Sequence, residues 1–510
     1  MSPTDYRREF AAYTSAVERA RFERHAGLAE RPDLRPVEGR YADLWSRGAV
    51  EDLARALEEA PEQFETERAG LRALLGAARL GRAEAEAREV TEELGRCEGA
   101  GGVEWGGGRV DAGDVPGILG RETDAARRRE LWRRWLDALR PCDDLRAARL
   151  AALGEAVRSL GFDGRRALYE SYTGADLRRL ADGAAAFLER TEAVFMSRLA
   201  AWAASAGVRG AGDALEQADE FFFGRAAHQD AYFPGGNLRA AYAELLAGLG
   251  VRSESQRNLL LDAEPRPAKG EHSACFAVNP PVDVRLVFGF RTAGADAYLL
   301  TFREAGRAQM FAWASREASA RYPEFTRAPD RATPEAHGLL LSGLLRDASW
   351  LARLGGLRPA EAREAARHVA LLELHGARRD CASLLCALAL DEPGGAVRSE
   401  QFDETYVSLF GAATGFRHNA ATRLRDADEW FTSATRLRAR LFAAGMAEHL
   451  RGRHGRRWFA SRPAGDELID IWNTAARYSV GELARLVWGG APDFELLAAS
   501  LTEGLEGDGV

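Results

Sequence analysis

Residues 302–311 read FREAGRAQMF, and they follow DVRLVFGF at 283–290, the one convincing strand signal in a chain of 510 residues. Pro280 and Pro281 precede that strand and Thr292 to Gly294 follow it, the punctuation expected where a strand starts and stops. The segment after the turn is predicted to be a helix. On it Arg303 and Arg307 lie one turn apart on a single face, with Glu304 three residues before Arg307. Taken alone, this R-E-x-x-R pattern describes a solvated face with an ion pair of roughly 0.2–0.5 kcal/mol.

Most of the remaining chain carries helical periodicity. Residues 40–95 keep apolar positions three and four apart with charges between them, which predicts two or more long helices. The glycine-rich stretch 95–118 breaks the pattern and fits a short hairpin or loop. Helical spacing resumes from 119 to 209, and Phe233 to Gly236 mark a turn before LRAAYAELLAGLG, a helix that Gly248 or Gly250 would cap. After residue 295 the chain reads as helix again, punctuated at Pro329, Gly355 and Gly356, Pro393 to Gly395, and Pro463. The predicted class is therefore all-α, with a small β element near 283–290. Three regions organise it: an N-terminal helical region at 1–118, a helical wall at 119–260, and a site-bearing region at 261–510.

Composition bounds the function classes. A hydrophobic fraction of 46% supports a buried core, which sets intrinsic disorder aside. The formal charge of −8 argues against a nucleic-acid partner. No run of 18 uninterrupted apolar residues is present, so no membrane span is expected, and the charged start of the chain does not read as a secretory signal. The five cysteines form no CxxC pair and predict reduced core thiols in a cytoplasmic protein. Of the 69 basic residues only Lys269 is lysine. The rest are arginines, permanently charged groups that grip sulfate, phosphate or carboxylate bidentately.

Two further stretches give the R-E-x-x-R helix its context: ATPEAHGLLLSGLLRDASWL at 332–351 and ADEWFTSATRLRARLF at 427–442. Together with LDAEPRPAKG at 261–270, CFAVNPPVDVRLVFGF at 275–290 and HGRRWFASRPAGDELIDIW at 454–472, they resemble the thimet oligopeptidase and oligoendopeptidase F family of zinc peptidases. Weaker similarity at 111–139 and 230–250 extends the likeness to about residues 105–490. The resemblance implies a zincin-like oligopeptidase architecture with a deep central cleft. In that family the central helix carries HExxH, whose histidines bind zinc while the glutamate activates water. Here Arg303 and Arg307 stand at the histidine positions, Glu304 at that of the general base, and Glu335 at that of the third ligand. Thr432 and Arg436 align with tyrosines that stabilise the oxyanion in the family.

Arginine has no lone pair to offer zinc, and one carboxylate cannot hold a catalytic ion that normally takes three protein ligands. Hydrolysis by the family mechanism is therefore not expected, and neither metal nor cofactor is assigned. Two guanidinium groups do carry the same charge as one zinc ion, so the cleft keeps its positive potential. They either plug the vacated site by pairing with Glu304 and Glu335, or join Arg436 in clamping an anionic ligand.

The first functional expectation is a metal-independent, non-hydrolytic enzyme. Glu304 or Glu335 would be the base, and Arg303, Arg307 and Arg436 would bind the anionic group of a small-molecule substrate or carrier-protein-bound amino acid. Intramolecular displacement, with ring closure and loss of sulfate or phosphate in amino-acid or natural-product biosynthesis, uses those parts. A carboxylate beside arginines is a weakened base, so the more loosely paired glutamate fits that role better. The alternatives are a dead pseudopeptidase that binds a peptide or carrier protein, and an active peptidase with a shifted metal site drawn from His272, His368 or His375. His337 reads either as a substitute metal ligand, which Arg303 and Arg307 would oppose, or as a packed or hydrogen-bonding histidine, and with Thr432 it is a candidate substrate contact. Lys269 reads either as a contact to an anionic substrate or as a solvated loop residue.

Overall fold

The computed structural model describes residues 1–29, 34–208, 214–392 and 399–506, so the punctuation at Pro393 to Gly395 lies outside the described residues. Helix accounts for 72% and strand for 5%, which places the protein in the predominantly helical class with small sheets. The glycine-rich break at 95–118 contains an antiparallel hairpin, β1 (Gly102–Trp105) and β2 (Gly108–Asp111). Gly106 and Gly107 both take positive φ, as a two-residue primed turn requires. The helix Leu238–Gly248 ends where Gly250 turns left-handed and its N–H bonds to the Ala247 carbonyl, so Gly250 is the glycine that closes it.

The β element is larger than one strand. β3 (Leu259–Asp262), β4 (Ala274–Asn279) and β5 (Asp283–Val287) form a sheet ordered β3-β5-β4, with β5 parallel to β3 and antiparallel to β4. The predicted strand stops at Val287. Beyond it the Phe290 N–H bonds to the Gly270 carbonyl, outside the ladder. β3 escapes periodicity analysis because LLLD is four residues with no alternation to detect.

The helix Pro3–His25 covers one face of the sheet, where Phe22 packs with Phe276, Val278 and Val287. Against the sheet also lies the central helix Ala295–Trp313, buried almost throughout. It crosses the helix Ala332–Ser342, which in turn packs on Thr432–His454. One core runs from Phe233 to Ala484 and a second joins Tyr169 to Leu505, so the regions 119–260 and 261–510 share apolar interiors. Among the described residues no helix is long and apolar enough to cross a membrane.

The cysteines correct one expectation. Cys97 and Cys142 are joined in a disulfide, while Cys275, Cys381 and Cys386 are free and buried. The helix Arg88–Ala100 and the turn Arg140–Cys142 pack together and bring the pair into reach. A separation of 45 residues contains no sign of that proximity. With a bond present, cysteine usage no longer argues for a reducing compartment.

Candidate functional site

Two glycines position the site. A Cβ on Gly306 of the central helix would sit 2.2 Å from the His337 carbonyl oxygen, and one on Gly338 would sit 2.6 Å from that of Arg303. The helices therefore cross backbone to backbone. That closeness brings the R-E-x-x-R turn against the turn carrying Glu335.

Each predicted arginine has found a carboxylate. Arg307 Nη1 donates to Glu304 Oε1 at 2.9 Å and Oε2 at 3.2 Å. Glu304 Oε2 also accepts the Cys275 N–H of β4 at 2.8 Å, which ties the central helix to the sheet. Arg303 forms an ion pair with Glu335. Glu304 is thus held by two partners and Glu335 by one. Burial pushes the Arg303 guanidinium down to about 10, with Arg440 adding to the effect and Asp380, Glu304 and Glu373 opposing it. It stays protonated at neutral pH. Burial is the largest influence on Arg307 and acts against its charge, but Glu304, Cys275 and Glu18 together offset it and the pKa is raised.

These residues do not fit a zinc ion. Arg303 and Arg307 only donate, and Glu335 is engaged by Arg303. The histidines proposed for a shifted site lie apart. His368 meets the His228 ring edge to face, His375 pairs with Glu220 at 3.0 Å, and His272 accepts from Arg291 at 3.1 Å. Among the described residues no group of three His, Cys, Asp or Glu is arranged to hold a metal.

Arg436 turns elsewhere. Its Nε donates to Asp380 Oδ1 at 2.6 Å, while Arg440 donates to Oδ2 of the same carboxylate at 3.0 Å. No hydrogen bond or ion pair joins Arg436 to Arg303, Arg307, Glu304 or Glu335, and the charge that reaches Arg303 is that of Arg440. Arg440 and Glu373 also line a cavity of about 1060 Å³ with Leu344, Ala443 and Leu497, beside the arginine cluster rather than over it. Thr432 is exposed at the first turn of its helix, and its N–H is taken by Asp428 at 2.8 Å.

Sequence reasoning passed over Arg331. This residue sits one turn before Glu335, at the start of the crossing helix, where its carbonyl accepts the Glu335 N–H at 3.1 Å; its side chain makes no hydrogen bond or ion pair among the described residues. Solvent reaches its side chain, yet the surrounding protein lowers its pKa by desolvation, Arg307 lowers it further, and Glu18 opposes. The four-residue spacing of Arg331 from Glu335 was the available signal. Arg303 and Arg307 each have a carboxylate partner, whereas the Arg331 side chain has none among the described residues.

Two predicted contacts are corrected. Lys269 is neither a solvated loop residue nor free to meet a substrate. It is 4% exposed, and its ammonium donates to the Asp262 carbonyl, Asp262 Oδ1 and the Glu264 carbonyl at 2.8–3.1 Å. All three protons are used in holding the 262–269 loop. His337 is buried in the core, where Nδ1 accepts from Trp472 Nε1 at 3.2 Å, so its packed reading holds.

Burial lowers His337 and His368 to about 3 and His418 to about 4, against an ordinary value of 6.5. In each case the unfolded chain binds the proton first. The stability these histidines contribute is complete above about pH 6.5 and is lost as pH falls toward their folded values. The thermal midpoint should therefore drop steadily between pH 6.5 and 5. A flat midpoint over that interval would show that they protonate without loosening the core.

Compared with protein-family models and with curated proteins, the chain matches none.

Proposed function

We propose that the protein is a non-hydrolytic enzyme on a zincin-like oligopeptidase scaffold, seating the anionic group of its substrate against Arg331, with Arg303 and Arg307 behind it. The observation that carries this reading is the unpaired, accessible guanidinium of Arg331 beside two arginines that are already neutralised. An exposed guanidinium without an ion-pair partner favours sulfate, phosphate or carboxylate.

The reaction that uses these parts is ring closure by displacement. An amine nitrogen of the substrate attacks the carbon bearing a sulfate or phosphate ester, a C–N bond forms, and the C–O bond breaks with its electron pair leaving on the oxyanion. The amine proton passes to Glu335, the less engaged of the two carboxylates. Arg331 stabilises the charge that grows on the leaving group. The substrate is an amino acid, free or held on a carrier protein.

A second reading has one observation in its favour. Glu304 and Glu335 are both ion-paired, as in a plugged site, which suits a pseudopeptidase that binds an acidic peptide without turnover. Incubation with amino-acid sulfate and phosphate esters, followed by mass spectrometry of the product and ion chromatography of the released anion, separates the two. The proposed enzyme should give the cyclic amine and one equivalent of anion, and Glu335→Gln should abolish both. Release that persists in Glu335→Gln removes Glu335 as base. Tight peptide binding with no release would select the pseudopeptidase.

A further inference from the structure

We propose a second anion site, separate from the arginine cluster of the cleft and specific for a phosphate monoester with an apolar organic portion. It occupies a cavity of about 810 Å³ where the first turns of the helix Pro3–His25 meet the β4–β5 turn and the helix Arg316–Arg321. Five arginines line it, Arg7, Arg8, Arg316, Arg321 and Arg327, against a single acid, Glu67.

Their states differ, and the difference locates the ligand. Arg7 is neutralised by Glu324 and Glu67, each at 2.9 Å. Arg8 meets Asp5 at 3.0 Å on the outer rim. Arg321 is exposed and lies over the Tyr322 ring, 5.3 Å from its centroid. Arg316 is exposed and makes no hydrogen bond or ion pair among the described residues.

Arg327 is the anomaly. It is 9% exposed, and among the described residues its side chain donates only to neutral oxygens: Thr326 Oγ1 at 3.2 Å, Ser15 Oγ at 3.0 Å and the Val278 carbonyl at 3.5 Å. Its Nε is buried without a partner. Glu18 is the carboxylate whose field reaches it, and Glu18 already pairs with Arg21 at 3.3 Å. The hydroxyls and the carbonyl accept protons but supply no counter-charge. A neutral donor would tie the helix to the sheet equally well, whereas a buried guanidinium without a counter-ion is costly. An anion entering the cavity would supply that charge, with Arg316 closing from the solvent side.

The other wall points to an organic portion. Pro280, Pro281 and Val282 form the β4–β5 turn on the cavity, and Val282 is 57% exposed. An inorganic ion would leave this apolar surface bare. A volume of this size also accommodates more than a bare tetrahedral anion.

Calorimetric titration of the full chain with phenyl phosphate, inorganic phosphate and inorganic sulfate tests the assignment. Phenyl phosphate should bind with one equivalent assigned to this site, more tightly than either inorganic ion. Arg327→Gln and Arg316→Ala should each weaken that equivalent about tenfold or more, the loss of one charge-assisted hydrogen bond. Arg316 is exposed and lacks internal partners, so its variant keeps the test valid if Arg327→Gln does not fold. Arg331→Gln, in the cleft, should leave this equivalent in place. Loss of all binding in Arg331→Gln with none in Arg316→Ala would overturn the second site, as would the absence of millimolar binding in the unaltered protein. Equal affinity for inorganic phosphate and phenyl phosphate would overturn the organic specificity.

Discussion

Replacing Gly306 with alanine should destabilise the protein by about 3 kcal/mol or more, among the largest effects a single methyl group can have. The added carbon would lie 2.2 Å from the His337 carbonyl oxygen, 2.7 Å from its carbon and 2.8 Å from the Gly338 Cα. All three are backbone atoms, so no rotamer change relieves the overlap. The two helices must separate, and the crossing helix carries Glu335 away from Arg303. That leaves a half-buried guanidinium and the more buried Glu335 without their partners and compounds the loss. Gly338→Ala should behave similarly, since its nearest contact is the Arg303 carbonyl. Gly95→Ala is the control: that glycine lies within the helix Arg88–Ala100 with nothing within 4 Å of the new carbon, and alanine there should be neutral or slightly stabilising. Thermal and urea melts of the three variants decide the matter. If Gly306→Ala melts with Gly95→Ala, the backbone crossing is looser than described and the site loses its positioning device.

Arg331→Gln should weaken binding of a sulfate or phosphate ester in the cleft by about 10- to 100-fold, the value of a charge-assisted hydrogen bond of roughly 1.5–3 kcal/mol. Stability should hardly change, because Arg331 has no internal partner to abandon. Arg303→Gln provides the contrast. It removes the counter-ion of Glu335, whose side chain is 14% exposed, so it should lower the thermal midpoint as well as the affinity. Arg436→Gln should affect the ligand little, since Arg436 is committed to Asp380. Dissociation constants paired with melting curves for the three variants separate recognition from support. Unchanged binding in Arg331→Gln, or a drop in stability equal to that of Arg303→Gln, would make Arg331 a structural residue and remove the main support for an anion-binding cleft.

Neighbouring parts of the chain differed in how far they could be read. The 95–118 hairpin was legible because consecutive glycines supply the two positive φ values of its turn, a purely local requirement. The long helices were legible from periodicity, and the R-E-x-x-R face from its spacing on one of them. The partner of each arginine was not. Arg436 looked like a third clamp because it shares an aligned stretch, but Asp380, on a helix 56 residues earlier, claims it. Arg331 carries no motif, and no carboxylate among the described residues forms an ion pair with it. Lys269 invited a functional reading as the only lysine, whereas the Asp262–Glu264 loop had already used its protons.

By itself, then, the sequence settled what is local: a predominantly helical chain, a glycine-rich break at 95–118 that fits a hairpin or loop, a strand within 283–290, and the R-E-x-x-R spacing of Arg303, Glu304 and Arg307 on one helix. Which charges cancel and which remain depended on tertiary contacts such as the Gly306–Gly338 crossing, the Arg303–Glu335 pair and the neutral surroundings of Arg327. The reason is electrostatic and steric at once. A side chain's charge is permanent in arginine and can be read from one letter. Its availability depends on neighbours within a few ångströms, drawn from anywhere along the chain.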